Sequence, residues 1–75
     1  MKHIGQLTAV IHREDDMYVS LCPELDVASQ GESVEEALRN LGEAVELFFE
    51  TADASEVESR FHAEVYVTRL DVDVA

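Results

Sequence analysis

Cysteine occurs once in this chain, at Cys22, so no disulfide can form within it. His3, His12 and His62 are scattered, and no cysteine–histidine set has the spacing of a zinc site. Basic side chains are scarce: five Lys and Arg stand against seventeen Asp and Glu, for a net charge of −12. Phosphate backbones are bound through neutralisation by Lys and Arg, so direct contact with nucleic acid is not expected. Arg13, Arg39, Arg60 and Arg69 are also too dispersed to form a patch. No apolar run approaches the roughly 18 residues of a membrane span, and none has the form of a signal peptide. The expectation is a cytoplasmic protein with no membrane association, and a lone free cysteine agrees with that. Repeats and low-complexity tracts are absent.

What remains is a short chain with a substantial apolar share. Its 75 residues, 47% hydrophobic and 29% charged, fit one soluble globular domain, residues 1–75, with no separate DNA-binding domain. A chain of this size buries only about 60% of the surface its unfolded form exposes. Small domains compensate with disulfides, metals or partner chains. The first two find no support in the residues, so a homo-oligomer, dimer or tetramer, is expected.

Alternation marks the strands. Residues 4–12, "IGQLTAVIH", set Leu7, Ala9 and Ile11 against Thr8, Val10 and His12. After the polar "REDD", "MYVSL" sets Met17, Val19 and Leu21 against Tyr18 and Ser20. The two runs read as a β-hairpin. Pro23, the only proline, has no amide hydrogen and belongs at a strand end, edge or bulge. "ELDVASQ" then supplies a third strand, broken by Gly31.

Ser33 and Glu36 match the S-x-x-E capping box, with Glu36 expected to reach back to the Ser33 amide. Behind it, Val34, Ala37, Leu38, Leu41, Val45 and Phe48 recur at helical spacing, widened by Ala44 and Phe49. Gly42 costs about 1 kcal/mol in a helix interior relative to alanine, and close approach to the sheet is the expected compensation. The helix should fade near Thr51–Asp53, leaving "TADASEVES" as a connector. The closing run "RFHAEVYVTRLDVDVA" alternates as a strand, with a change of phase between Val67 and Leu70 that suggests a bulge or a change of partner. The order is β-β-β-α-β, a two-layer α+β domain with one helix on a mainly antiparallel sheet. One helix covers one sheet face; Val10, Tyr18 and Tyr66 are expected to share the other and to form the oligomer interface.

No residue pattern carries catalytic chemistry. Cys22 lies between Leu21 and Pro23, followed by Glu24, with nothing nearby to depress its pKa, and reads as a buried structural thiol. Glu24 and Asp26 share strand parity, but among seventeen acids that spacing arises easily by chance. Gly31 before a helix is a poor phosphate cradle beside Glu32, Glu35 and Glu36. No enzyme activity, cofactor or metal is expected.

The string "YVSLCPELDVASQGESVEEALRNLGEAVELFFE", and within it Tyr18–Ser20, Pro23–Leu25, Val27, Ser29–Gly31, Ser33, Glu35–Leu38, Glu43 and Ala44, resembles the HicB-like antitoxin family, including its short stand-alone members. The resemblance spans roughly residues 7–50. It implies a degenerate ribonuclease H-like fold, self-association, and binding to a HicA-type toxin, a small basic ribonuclease whose active site the antitoxin covers. Full-length relatives add a C-terminal operator-binding domain, whereas this sequence ends at Ala75. The expected function is therefore a non-catalytic antitoxin-like binding protein. The alternatives are an orphan HicB-fold oligomer without a toxin and, more remotely, a metal-dependent nuclease using clustered carboxylates. Charge and expected exposure nominate Glu14, Asp15, Asp16, Glu24 and Asp26 as the partner-binding residues.

Overall fold

The computed structural model describes residues 5–75. Three strands, β1 (Val10–Glu14), β2 (Met17–Cys22) and β3 (Val27–Gly31), form an antiparallel sheet in the order β1-β2-β3. Helix α1 (Val34–Thr51) packs mainly over β3, less over β2 and barely over β1. The α+β class and the β-β-β-α order expected from the sequence are the ones observed.

Register fixes which side chains meet the helix. Ser20 lies opposite Ile11 and Ser29, and its hydroxyl donates to the Ala37 carbonyl at 2.9 Å. Tyr18, Ser20 and Cys22 thus face α1, while Met17, Val19 and Leu21 face away. Val10 pairs with Leu21 and belongs to the outer face. Val10 and Tyr18, expected to share a face, therefore lie on opposite sides of the sheet. The core is small: Cys22, Leu25 and Leu41 are buried, with Leu7, Val27, Val45, Phe48 and Phe49 packed around them. Leu38, at the margin of the helical stripe, stays half exposed.

Ser33 caps α1 as expected, accepting from the Glu36 amide at 3.1 Å. Glu36 reaches back one residue further than anticipated, accepting from the Glu32 amide at 2.8 Å. Close approach occurs at Gly31, not at Gly42. A Cβ on Gly31 would lie 2.5 Å from the Ala37 amide nitrogen, whereas one on Gly42 would meet nothing within 4 Å. The absence of a side chain at Gly31 lets the end of β3 run under the first turn of α1.

Two segments depart from the sequence reading. "TADASEVES" is not a plain connector: it holds a short helix, α2 (Ala54–Arg60), capped by Asp53, whose carboxylate accepts from the Glu56 amide at 2.9 Å. Residues 61–75, read as a strand, pair with none of β1–β3 and carry no regular secondary structure. Their periodicity is that of a strand, but a strand requires a hydrogen-bonded neighbour, and none stands beside them among the described residues.

Candidate partner-binding surface

The five nominated acids fall into two groups at opposite ends of β2. The first is the hairpin tip. Glu14 pairs with Met17, so Asp15 and Asp16 alone form the loop. Asp15 sits at φ 55°, a left-handed conformation that Asp tolerates better than most residues. Arg13 steadies the bend by donating from Nε to the Asp15 carbonyl at 2.9 Å. The His12 ring and a Glu14 carboxylate oxygen are 2.9 Å apart on the outer face. Glu14, Asp15 and Asp16 are all exposed. The tip thus presents three carboxylates at a fixed bend, with one guanidinium beside them.

The second group, Glu24 and Asp26, lies in the β2–β3 turn, a strand length of roughly 17–20 Å from the tip. Its two acids have different roles. Asp26 is exposed, at φ 57°. Glu24 is 8% exposed, and its carboxylate is consumed internally. The Thr8 amide donates to Oε1 at 3.0 Å and to Oε2 at 2.9 Å, and the Thr8 hydroxyl donates to Oε2 at 2.6 Å. The Cys22 thiol adds a donor to Oε1 at 3.6 Å. Burial alone would push the Glu24 pKa up, but the Thr8 hydroxyl, the amides of Glu24 and Thr8 and the thiol together hold it below the ordinary carboxylate value. The expectation that Glu24 is exposed fails for this reason: it ties residues 7–9 to the β2–β3 turn and is not free to meet a partner.

The same turn carries residues that sequence reasoning missed. Leu25 is fully buried, so the segment between Cys22 and Val27 plugs the core as well as connecting strands. Arg60, at the end of α2, clamps it from above. Its Nε donates to the Leu25 carbonyl at 3.1 Å and its Nη2 to the Asp26 carbonyl at 2.8 Å. Its guanidinium also lies 5.1 Å from the centre of the Phe48 ring. The His62 amide donates to the Glu24 carbonyl at 2.7 Å and closes the turn. No short-range signal in the sequence announces a contact spanning 35 residues. The Asp53–Glu56 spacing was the available clue to the helix that delivers Arg60.

Cys22, 1% exposed, is a structural thiol. Burial pushes its pKa up, and the thiol's bond to Glu24 and that carboxylate's charge add to the rise, against opposing backbone bonds from Leu25 and Glu24. The thiol therefore stays protonated at neutral pH. His12 projects from the outer sheet face and His62 follows α2, while His3 lies outside the described residues. Among the described residues no three His, Cys, Asp or Glu side chains gather as metal ligands, and no helix is long and apolar enough to cross a membrane. Of the three residues expected at the oligomer interface, Val10 is 36% and Tyr66 83% exposed, while Tyr18 is partly covered on the helix side.

No family profile matches the chain, and no solved structure matches it. Over 52 residues it is 42% identical to a UPF0150 protein of Helicobacter pylori (strain J99 / ATCC 700824), an alignment covering 68% of this chain and 72% of that relative. With the likeness running through most of both proteins, the chain belongs to the UPF0150 family.

Proposed function

We propose that this protein is a non-catalytic binding module of the HicB antitoxin type, neutralising a small basic HicA-type ribonuclease by covering its active site in the cytoplasm. The observation that carries the reading is the hairpin tip. Glu14, Asp15 and Asp16 stand exposed at one bend of a chain whose net charge is −12. A surface of that kind competes with RNA for a cationic groove and steers association electrostatically. The resemblance of roughly residues 7–50 to HicB antitoxins supplies the class of partner. Asp26 can add a contact only for a partner long enough to reach the far end of β2. Glu24 serves by holding that turn in shape.

Acidic charge is not confined to the tip, because α1 also exposes Glu35, Glu43, Glu46 and Glu50. The test must therefore separate local docking from the overall field. Asp15 is best changed to Asn, which tolerates positive φ, and Asp16 to Lys. The Asp15→Asn/Asp16→Lys protein should bind a basic ribonuclease encoded beside it roughly tenfold more weakly, mainly through slower association, and with a shallower salt dependence. A helix-face control that changes net charge equally, Glu43→Gln/Glu46→Lys, should bind within a factor of about two of the parent. Equal losses in both proteins would remove the tip as the site. Failure of the parent chain to bind or inhibit that ribonuclease would remove the antitoxin reading.

A further inference from the structure

Residues 61–75 are the one long stretch of the described chain that forms neither helix nor strand. Tyr66, Leu70 and Val74 are 83%, 84% and 89% exposed, and Val67 and Val72 are 65% and 67% exposed. The chain is accordingly drawn out to 49 Å along its long axis. Its radius of gyration is 14.3 Å, against about 11 Å for a compact domain of this length. Yet the composition is not that of a solvated tail. Tyr66, Thr68, Val72 and Val74 are strand-forming residues, and with Leu70 they put an aromatic, β-branched or aliphatic side chain at every even position from 66 to 74. Arg69, Asp71 and Asp73 occupy odd positions among them.

We propose that residues 66–74 pair antiparallel with the same segment of a second copy, about a two-fold axis at Leu70. The charge pattern selects both the partner and the register. In a symmetric antiparallel pair the axis passes through one residue, which faces its own copy. Centring on Arg69 sets Arg against Arg, and centring on Asp71 sets Asp against Asp. Centring on Val72 places Asp71 opposite Asp73, and centring on Thr68 leaves Arg69 and Asp71 opposite valines. Centring on Leu70 places Arg69 opposite Asp71 twice, with no like charges face to face. It also puts Leu70 against Leu70, Thr68 against Val72 and Tyr66 against Val74, all on one face. Opposite charges and apolar or β-branched pairs directly across an antiparallel ladder stabilise it, and like charges destabilise it.

An isolated two-stranded ribbon is marginal in water, so its apolar face needs cover. Each copy offers an outer sheet face that α1 leaves bare, where Val10 and Leu21 are 36% and 37% exposed. A second copy thus satisfies the unpaired backbone of the tail and brings apolar surface to bury it. This inference does not depend on the antitoxin reading.

The test uses the full chain. Under mild oxidation Leu70→Cys should give a disulfide-linked dimer, because directly opposed Cα atoms in an antiparallel pair lie about 4.5–5.5 Å apart, within disulfide reach. Thr68→Cys alone should not, because its two copies would sit four residues apart, about 14 Å, but mixed with Val72→Cys it should cross-link. Cys22 is buried and does not compete. In sedimentation equilibrium Arg69→Asp should weaken the dimer by roughly tenfold, and Arg69→Asp/Asp71→Arg should restore it. A monomer at all concentrations, Thr68→Cys cross-linking as readily as Leu70→Cys, or no recovery in the double swap would each overturn the proposal. A tail that adds to the open edge of β1 or β3 instead would be recognised by a dimer lacking the Leu70→Cys cross-link, and would overturn it equally.

Discussion

Replacing Glu24 with Gln preserves the size of a buried side chain and removes the charge that organises it. Besides its own amide, three donor groups converge on this carboxylate: the Thr8 amide, the Thr8 hydroxyl and the Cys22 thiol. A glutamine offers one acceptor oxygen and one NH2. In either orientation its NH2 confronts the Thr8 amide, which cannot turn round to accept as a hydroxyl can. Hydrogen bonds to a charged group contribute about 1.5–3 kcal/mol, so Glu24→Gln should cost about 2 kcal/mol. That is a large fraction of the roughly 4–11 kcal/mol expected for a domain of this size. It corresponds to a fall in Tm of roughly 8–16 °C. Thr8→Val removes only the hydroxyl, with its 2.6 Å bond, and should cost about 1.5 kcal/mol. The double variant should lose less than the sum, because both changes break one network.

The same group sets part of the acid sensitivity. The folded pKa of Glu24 lies below its ordinary value, so the folded state favours the ionised form. The stability it contributes is fully present above the ordinary carboxylate pKa and is lost as pH falls through the lower folded value. Urea unfolding followed by circular dichroism at neutral pH and at successively lower pH reads both effects. The parent midpoint should fall with acidification more steeply than that of Glu24→Gln. Equal midpoints at neutral pH, or parallel pH profiles, would refute the argument that this carboxylate is held ionised by its donors.

Two further changes test the backbone contacts and the clamp. Gly31→Ala should cost about 1–3 kcal/mol in urea unfolding, because the added Cβ meets the Ala37 amide nitrogen at 2.5 Å and the Glu36 carbonyl carbon at 2.8 Å. Gly42→Ala, in open space, should stabilise by about 1 kcal/mol; destabilisation there would mean that this side of α1 is occupied in solution. Arg60→Met keeps the apolar stem but loses both carbonyl contacts, and should lower stability by about 2 kcal/mol. Its signature is faster amide exchange at Leu25 and His62, and unchanged exchange at those amides would show that Arg60 does not hold the turn.

Local patterns carried the sequence reading furthest where a residue's neighbours are close in the chain. The hairpin at residues 10–22, the third strand ending at Gly31 and the capped helix from Val34 to Thr51 all follow from alternation, helical spacing and the Ser33–Glu36 pair. Long-range contacts were not legible. Glu24 read as a surface acid because nothing in the sequence ties it to Thr8, 16 residues away. Arg60 gave no sign of its carbonyl partners. Alternation alone does not place Tyr18, because it defines two faces without saying which one the helix covers; the Ser20–Ala37 bond decides it. α2 escaped notice because its 7 residues bury no side chain and so show no apolar stripe. The tail has strand periodicity, but among the described residues no strand lies beside it. Of the nominated site, Glu14, Asp15 and Asp16 form one exposed bend, Asp26 stands apart, and Glu24 is internal.

On the function proposed above, the acidic surface holds a basic ribonuclease. Affinity capture of the tagged full-length protein from its own cells at moderate salt, with mass spectrometry and a ribonuclease assay of what co-elutes, tests it most directly. The expected result is a small basic protein in near-stoichiometric amount, whose RNA cleavage appears once the two chains are separated and disappears when this chain is added back. Recovery of only further copies of this chain would contradict it.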